Sequence, residues 1–202
     1  MLRGVADDPP QIRPAGADDV EPMVQTLVRA FEHYPMSRLA IDPNGYLARL
    51  ERYYRLFVTG IGLPHGKVWT SSDHSAVSVW TTPRTPRDVL ARVADEFHEI
   101  AGERALPMES VGQAMAILRP DEPLWILGMV GVDPDRQGQG LGRAVIAPGL
   151  ARADAEGAAT FLETQTARNV AFYESLGFDV LGEIDLPNDG PTHWAMRRKP
   201  RT

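Results

Sequence analysis

Residues 133–144 read DPDRQGQGLGRA, with Gly138, Gly140 and Gly142 at every second position and Arg136 and Arg143 beside them. An apolar run, LWILGMVGV (124–132), leads into the turn, and AVIAPGLARA leads out. A glycine-rich turn that opens a helix leaves backbone N–H groups uncovered. Those groups and the helix dipole attract a pyrophosphate, and flanking arginines add charge-assisted contacts. Two nucleotide loops are excluded. A dinucleotide fingerprint begun at Gly138 and Gly140 needs a third glycine where Arg143 stands. A phosphate loop would end in Gly-Lys-Ser or Gly-Lys-Thr, and neither occurs. Spacing alone leaves a pyrophosphate turn or a plain strand-to-helix turn with glycines for close packing.

Other residues that could do chemistry follow the turn. Glu163 interrupts an otherwise apolar segment, ATFLETQ (159–165). A carboxylate there is costly unless it is paired or used, so it is either a catalytic or amine-binding group or a salt-bridged one. RNVAFYESLG (168–177) carries Asn169 and Tyr173. Each has a plain structural role open to it, as a helix cap and a core packer respectively. Tyr34, Trp80 and Trp194 are candidate aromatic walls of a pocket, or packing residues. The five histidines are scattered without metal-ligand spacing, so no metal is expected.

In Gln137, Gly140 and Gly142 the turn matches the Q/R-x-x-G-x-G/A motif, with MVGV (129–132) before it and FLET (161–164) and RNVAFYESLGF (168–178) after it. These motifs, in this order, resemble the GNAT acetyltransferases. The resemblance continues from about residue 11 to the end, through AFEHYP (30–35), GKVW (66–69), AVSVWTTP (76–83) and RKP (198–200), toward members that acetylate an antibiotic amine. TQTARN (164–169) and PNDGPTHW (187–194) depart from that pattern.

The resemblance implies a GNAT fold with a sheet splayed at an acetyl-CoA-binding strand. It implies acetyl-CoA as cosubstrate and transfer of its acetyl group to the primary amine of a small molecule. Met129, Val130, Gly131 and Val132 would then form the cofactor strand, with the backbone of Val130 and Val132 pairing with the pantetheine arm. Gly131 would permit a bulge or splay, and the Val132 N–H would polarise the thioester carbonyl. Arg136, Gln137, Gly138, Gln139, Gly140, Leu141, Gly142 and Arg143 would hold the pyrophosphate, and Asn169 would touch the cofactor. Tyr173 matches the tyrosine that protonates the leaving thiolate. Glu163 or a water would be the base. Two further functions stay open: acetylation of protein or peptide amines, and acyl-CoA sensing without turnover.

The elements that must position these residues follow an α/β order. After a leader over 1–10, a short strand is expected at 11–15. A helix capped by Asp18 or Asp19 follows, with Val20, Met23, Val24, Leu27, Val28 and Phe31 at helical spacing, and Pro35 stops it. A second helix has Asp42 as N-cap and Pro43 at its first position. Strands at 67–71 and 75–83 form a hairpin. Helices at about 86–101 and 108–118 are read as a lid over a small pocket. Strand 124–132, helix 140–156, strand 159–165, helix 168–177 and strands 178–186 and 192–198 complete one domain over 11–202.

The chain has no cysteine, which excludes disulfides, thiolate nucleophiles and Cys-type metal sites. Its net charge of −6 argues against a general nucleic-acid binder. The longest apolar run is about half a membrane span. A cytoplasmic monomer or homodimer is expected, with no membrane or nucleic-acid partner.

Overall fold

The computed structural model describes residues 10–201. The leader expected over 1–10 lies outside the described residues, apart from Pro10. Seven strands occur: β1 (Ile12–Pro14), β2 (Lys67–Ser71), β3 (Ala76–Thr81), β4 (Leu124–Val132), β5 (Ala159–Thr164), β6 (Asp179–Asp185) and β7 (Thr192–Arg198). They form one sheet in the order β1-β2-β3-β4-β5-β7-β6. The β4–β5 pair alone is parallel; every other neighbouring pair is antiparallel.

Helices cover both faces: α1 (Val20–Phe31), α2 (Pro35–Ala40), α3 (Tyr46–Phe57), the single turn α4 (Leu63–His65), α5 (Arg87–Ala101), α6 (Ala105–Ala116), α7 (Leu141–Ala155) and α8 (Ala167–Glu174). Alternation along β3 explains the two cores. Val77 and Val79 pack toward α1 and α3, with Met23, Leu27 and Leu50. Ala76 and Trp80 pack toward α7, with Val145 and Ile146. Ser78, also on the α7 side, donates its hydroxyl to the Val145 carbonyl at 2.7 Å. No helix among the described residues is long and apolar enough to cross a membrane.

The order of elements agrees with the sequence reading, with three corrections. Neither Asp18 nor Asp19 caps α1 with its side chain; Asp19 pairs with Arg13 at 2.6 Å and accepts the Gly16 N–H at 2.8 Å. Pro35 ends α1 but also opens α2, where its fixed φ suits the first helical position. Asp42 does not cap the second helix, which begins four residues later behind Gly45 in the left-handed region (φ 70°). Instead the Asp42 carboxylate accepts the N–H groups of Asn44 (2.8 Å) and Glu103 (3.1 Å). It thereby ties the α5–α6 connection to the body of the protein.

Candidate active site

The site arises where two strands part. β4 and β5 pair only over Leu124–Ile126 and Ala159–Phe161. Beyond Ile126 no further pairs form, and the edges of both strands are open. On its other edge, β4 stays paired with β3 up to Val132. The β3–β4 register slips between Val79 and Trp80, whose partners are Met129 and Leu127. Gly128 is therefore the extra residue of a β-bulge. The bulge turns Leu127 toward α7 and Met129 toward α1. This corrects the expectation for Gly131, which pairs regularly with Val77. Gly131 is small for packing: a Cβ there would come within 2.9 Å of Leu27 Cδ2.

The open edge of β4 follows from the hydrogen-bond alternation of antiparallel strands. Asp133 donates its N–H to Ser75 at 2.8 Å, toward β3. Alternate residues then point the other way, which leaves the N–H and C=O of Val130 and Val132 facing the gap. The Gln137 side chain reaches the Val132 carbonyl at 3.3 Å.

The glycine turn stands at the end of this edge. Gly138 (φ 78°) and Gly140 (φ 82°) are left-handed, and a Cβ at either would meet nothing within 4 Å. Their surface is open, and glycine is needed there for its backbone. Gly140 is the N-cap of α7 and no side chain caps that end. The first intrahelical bond is from the Ala144 N–H, so the N–H groups of Leu141, Gly142 and Arg143 have no intrahelical acceptor. This geometry fits a pyrophosphate, held by backbone donors in a helix of fifteen residues. The Leu141 side chain is buried in the α7 core, so this residue offers only its backbone. Arg136 is tied to Gln139 (3.1 Å) and Asp73 (3.2 Å), and Arg143 to Ser175 (2.8 Å).

The gap between the strands opens into a cavity of about 300 Å3. α8 enters it from one side with Asn169 and Tyr173, β5 contributes Glu163 and Thr164, and Gln165 follows directly after β5. Thr166 caps α8, accepting the Asn169 N–H at 3.3 Å. This leaves the Asn169 side chain to donate to Thr164 Oγ1 at 3.1 Å. Tyr34 closes the α1 end: its hydroxyl accepts the Gln165 N–H (2.9 Å) and meets Thr164 Oγ1 (3.0 Å). The Tyr173 ring packs edge-on against Phe178. Its hydroxyl has no hydrogen-bond partner among the described residues, and burial holds its pKa well above the ordinary tyrosine value. The Glu163 carboxylate pairs through Oε2 with Arg119 at 3.0 Å, while burial raises its pKa above the usual carboxylate value.

Among the expected aromatic walls, Tyr34 lines the cavity, whereas Trp80 and Trp194 do not. Trp80 is fully buried on the α7 face, edge-on to Trp125. A Cβ at Gly149 of α7 would overlap its indole, so the two residues fit as plug and socket. Trp194 lies beyond β5, with its indole N–H bonded to Glu183 at 2.6 Å. The walls that the sequence reading missed are Met36, Tyr53 and Met108. Phe31, Tyr54, Phe97 and Met115 fall on the apolar faces that helical spacing gives, and all four line the cavity. The helices expected to form a lid do wall the cavity, through Phe97, Met108 and Met115.

Comparison with known proteins agrees with this geometry. Residues 76–178 match the Acetyltransferase (GNAT) family. A Corynebacterium glutamicum protein, described as histone acetyltransferase HPA2 and related acetyltransferase, is 27% identical (TM-score 0.72; 96% of this chain and 97% of that one). Arylalkylamine N-acetyltransferase 2 from Aedes aegypti shares the fold at 13% identity (TM-score 0.61; 96% of this chain and 100% of that one). So does yncA from Salmonella typhimurium, solved with its cofactor acetyl-CoA, at 15% identity (TM-score 0.57; 96% of each chain). The splayed parallel pair, the uncapped glycine turn and the family match lead to one conclusion: the chain belongs to the GNAT acetyltransferase family and is an acetyl-CoA-dependent N-acetyltransferase.

Proposed function

We propose that this enzyme acetylates the primary amine of a small molecule with an apolar, aryl-bearing body, puromycin or a relative of it. The carrying observation is the make-up of the cavity. Phe31, Tyr34, Tyr53, Tyr54 and Phe97 wall it, and Glu163 is the one charged residue among those lining it. One ammonium matches one carboxylate. A second cation or a carboxylate on the substrate would be desolvated there without a partner. The AFEHYP segment that resembles the antibiotic acetyltransferases brings both Phe31 and Tyr34 to the wall. Phe97 of α5 and Met108 and Met115 of α6 add further apolar surface to the wall.

In this reading the backbone donors of residues 138–143 hold the pyrophosphate, and the open Val130 and Val132 groups align the pantetheine arm. Bound acetyl-CoA supplies an activated carbonyl carbon and a thiolate leaving group. Val130 lines the cavity and Val132 does not, so the N–H that polarises the thioester carbonyl is assigned to Val130 rather than Val132. Glu163 takes a proton from the ammonium, and its raised pKa narrows the gap between donor and acceptor. The neutral amine forms the N–C bond as the C–S bond breaks. Tyr173, kept protonated by burial, gives its proton to the sulfur, and the surplus proton on the acylated nitrogen restores the phenol. Much of the rate comes from holding the amine and thioester in line.

The test is thiol release from acetyl-CoA against a panel of amines, read with a thiol reagent. The chain has no cysteine, so the protein adds no background. Puromycin and aryl monoamines should release thiol faster than amino acids and polyamines. Silence with the whole panel would overturn the proposal. Faster release with peptides would move the acceptor to a protein amine. Tight acetyl-CoA binding without transfer to any acceptor would make the protein a sensor.

A further inference from the structure

Two buried polar atoms beside the cavity have no partner among the described residues, Glu163 Oε1 and His193 Nε2. They lie 3.8 Å apart, and the His193 side chain is completely buried. Strand register brings them together. β5 and β7 pair Glu163 with Ala195 and Thr164 with Trp194, so Gln165 and His193 come opposite each other on the face that carries Glu163. Gln165 Nε2 lies 2.8 Å from His193 Nδ1. An amide nitrogen only donates, so Nδ1 accepts and the ring proton sits on Nε2, on the side of Glu163.

We propose that His193 is a positioning residue for acetyl transfer: its Nε2–H steadies the Glu163 carboxylate in the ionised form that receives the amine proton, and Gln165 fixes the tautomer that makes this possible. The inference rests on Glu163 as the base. A movement of about 1 Å turns the 3.8 Å approach into a hydrogen bond. Arg119 then holds one carboxylate oxygen and His193 the other, and the remaining lone pairs face the amine. Burial, with Arg119 nearby, pushes the His193 pKa down to about 4, so the ring stays neutral and does not compete for the proton. The surroundings add few other titratable groups. Arg119 comes from the turn after α6, Tyr34 and Tyr173 come from the cavity wall, and β6 places Ile184 opposite His193. No second carboxylate lines the cavity.

The experiment is the pH profile of kcat/KM with acetyl-CoA and the best acceptor of the amine panel, for the wild type and for His193→Leu, His193→Gln, Gln165→Leu and Glu163→Gln. Losing the Nε2–H should move the acid limb of His193→Leu up by about one pH unit. Activity below the wild-type limb should fall about 10-fold, with acetyl-CoA KM unchanged. His193→Gln, whose amide nitrogen overlays Nε2, should restore the limb. Gln165→Leu should shift it the same way by less, and it decides the matter if His193→Leu does not fold. Glu163→Gln should abolish the limb. A limb that survives in Glu163→Gln would remove Glu163 as base, and this role with it. A limb that Glu163→Gln abolishes but that His193→Leu and Gln165→Leu leave in place would overturn the His193 role alone. A His193→Gln limb as displaced as that of His193→Leu would also overturn it.

Discussion

Strands β4 and β5 are hydrogen-bonded neighbours at one end and separate walls at the other. At the closed end the sheet is filled by Trp80, Trp125 and Phe161, all essentially without exposure. Polar groups there are only partly matched: Arg198 bonds Asp154 at 2.7 and 2.8 Å, while its Nε and Thr160 Oγ1 have no partner among the described residues. At the open end the backbone of Val130 and Val132 goes unpaired within the sheet, Tyr173 has no bond to its hydroxyl, and Glu163 and His193 face each other unbonded. Unsatisfied polar groups cost stability. The contrast teaches that the unpaired groups of the open end face a cavity that a ligand can fill, whereas those of the closed end are enclosed by close packing.

That contrast can be broken by substitutions at each end. The largest effect is expected from Trp80→Ala. It should cost about 3–5 kcal/mol of stability through the cavity it leaves, read in urea melts. The surviving folded fraction should keep its acetyl-CoA KM. A large loss of cofactor affinity at unchanged stability would return Trp80 to the site.

Asp154→Asn at the same end should cost about 1.5–3 kcal/mol at neutral pH, because it strips a charged partner from Arg198. The Arg198 guanidinium holds the Asp154 pKa below its ordinary value. This stabilisation is complete above the unfolded carboxylate pKa, near 4, and is lost as acid protonates the folded carboxyl. Wild type and variant should therefore converge in acid. A gap that persists undiminished at low pH would show that the pair acts through packing alone.

At the open end the signs reverse. Tyr173→Phe should lower kcat about 100-fold while its melting temperature and acetyl-CoA binding stay near wild type. Unchanged turnover would remove Tyr173 from proton transfer. The smallest effect should come from Gly140→Val. A branched residue at φ 82° costs about 1–2 kcal/mol and crowds the pyrophosphate, so acetyl-CoA KM should rise several-fold with kcat little changed. A KM equal to wild type would mean that the turn does not hold the cofactor.

Sequence by itself determined most of the order of elements and the glycine turn, and its motifs singled out Tyr173, Asn169 and Glu163, which line the cavity. These depend on properties carried within a few residues: helical and strand periodicity, glycine at positive φ, and motif spacing. Only the tertiary structure decided the rest. The β-bulge falls at Gly128 rather than Gly131 because register is set by the facing strand β3, while Leu27 of α1 makes Gly131 small. Trp80 is core because Gly149, sixty-nine residues later, leaves room for its indole. The acceptor walls, and the meeting of Glu163 with His193, come from helices and strands that are distant in the chain. Which face a side chain takes, and what it meets there, depends on pairing and packing across the whole chain, so short-range pattern cannot carry it.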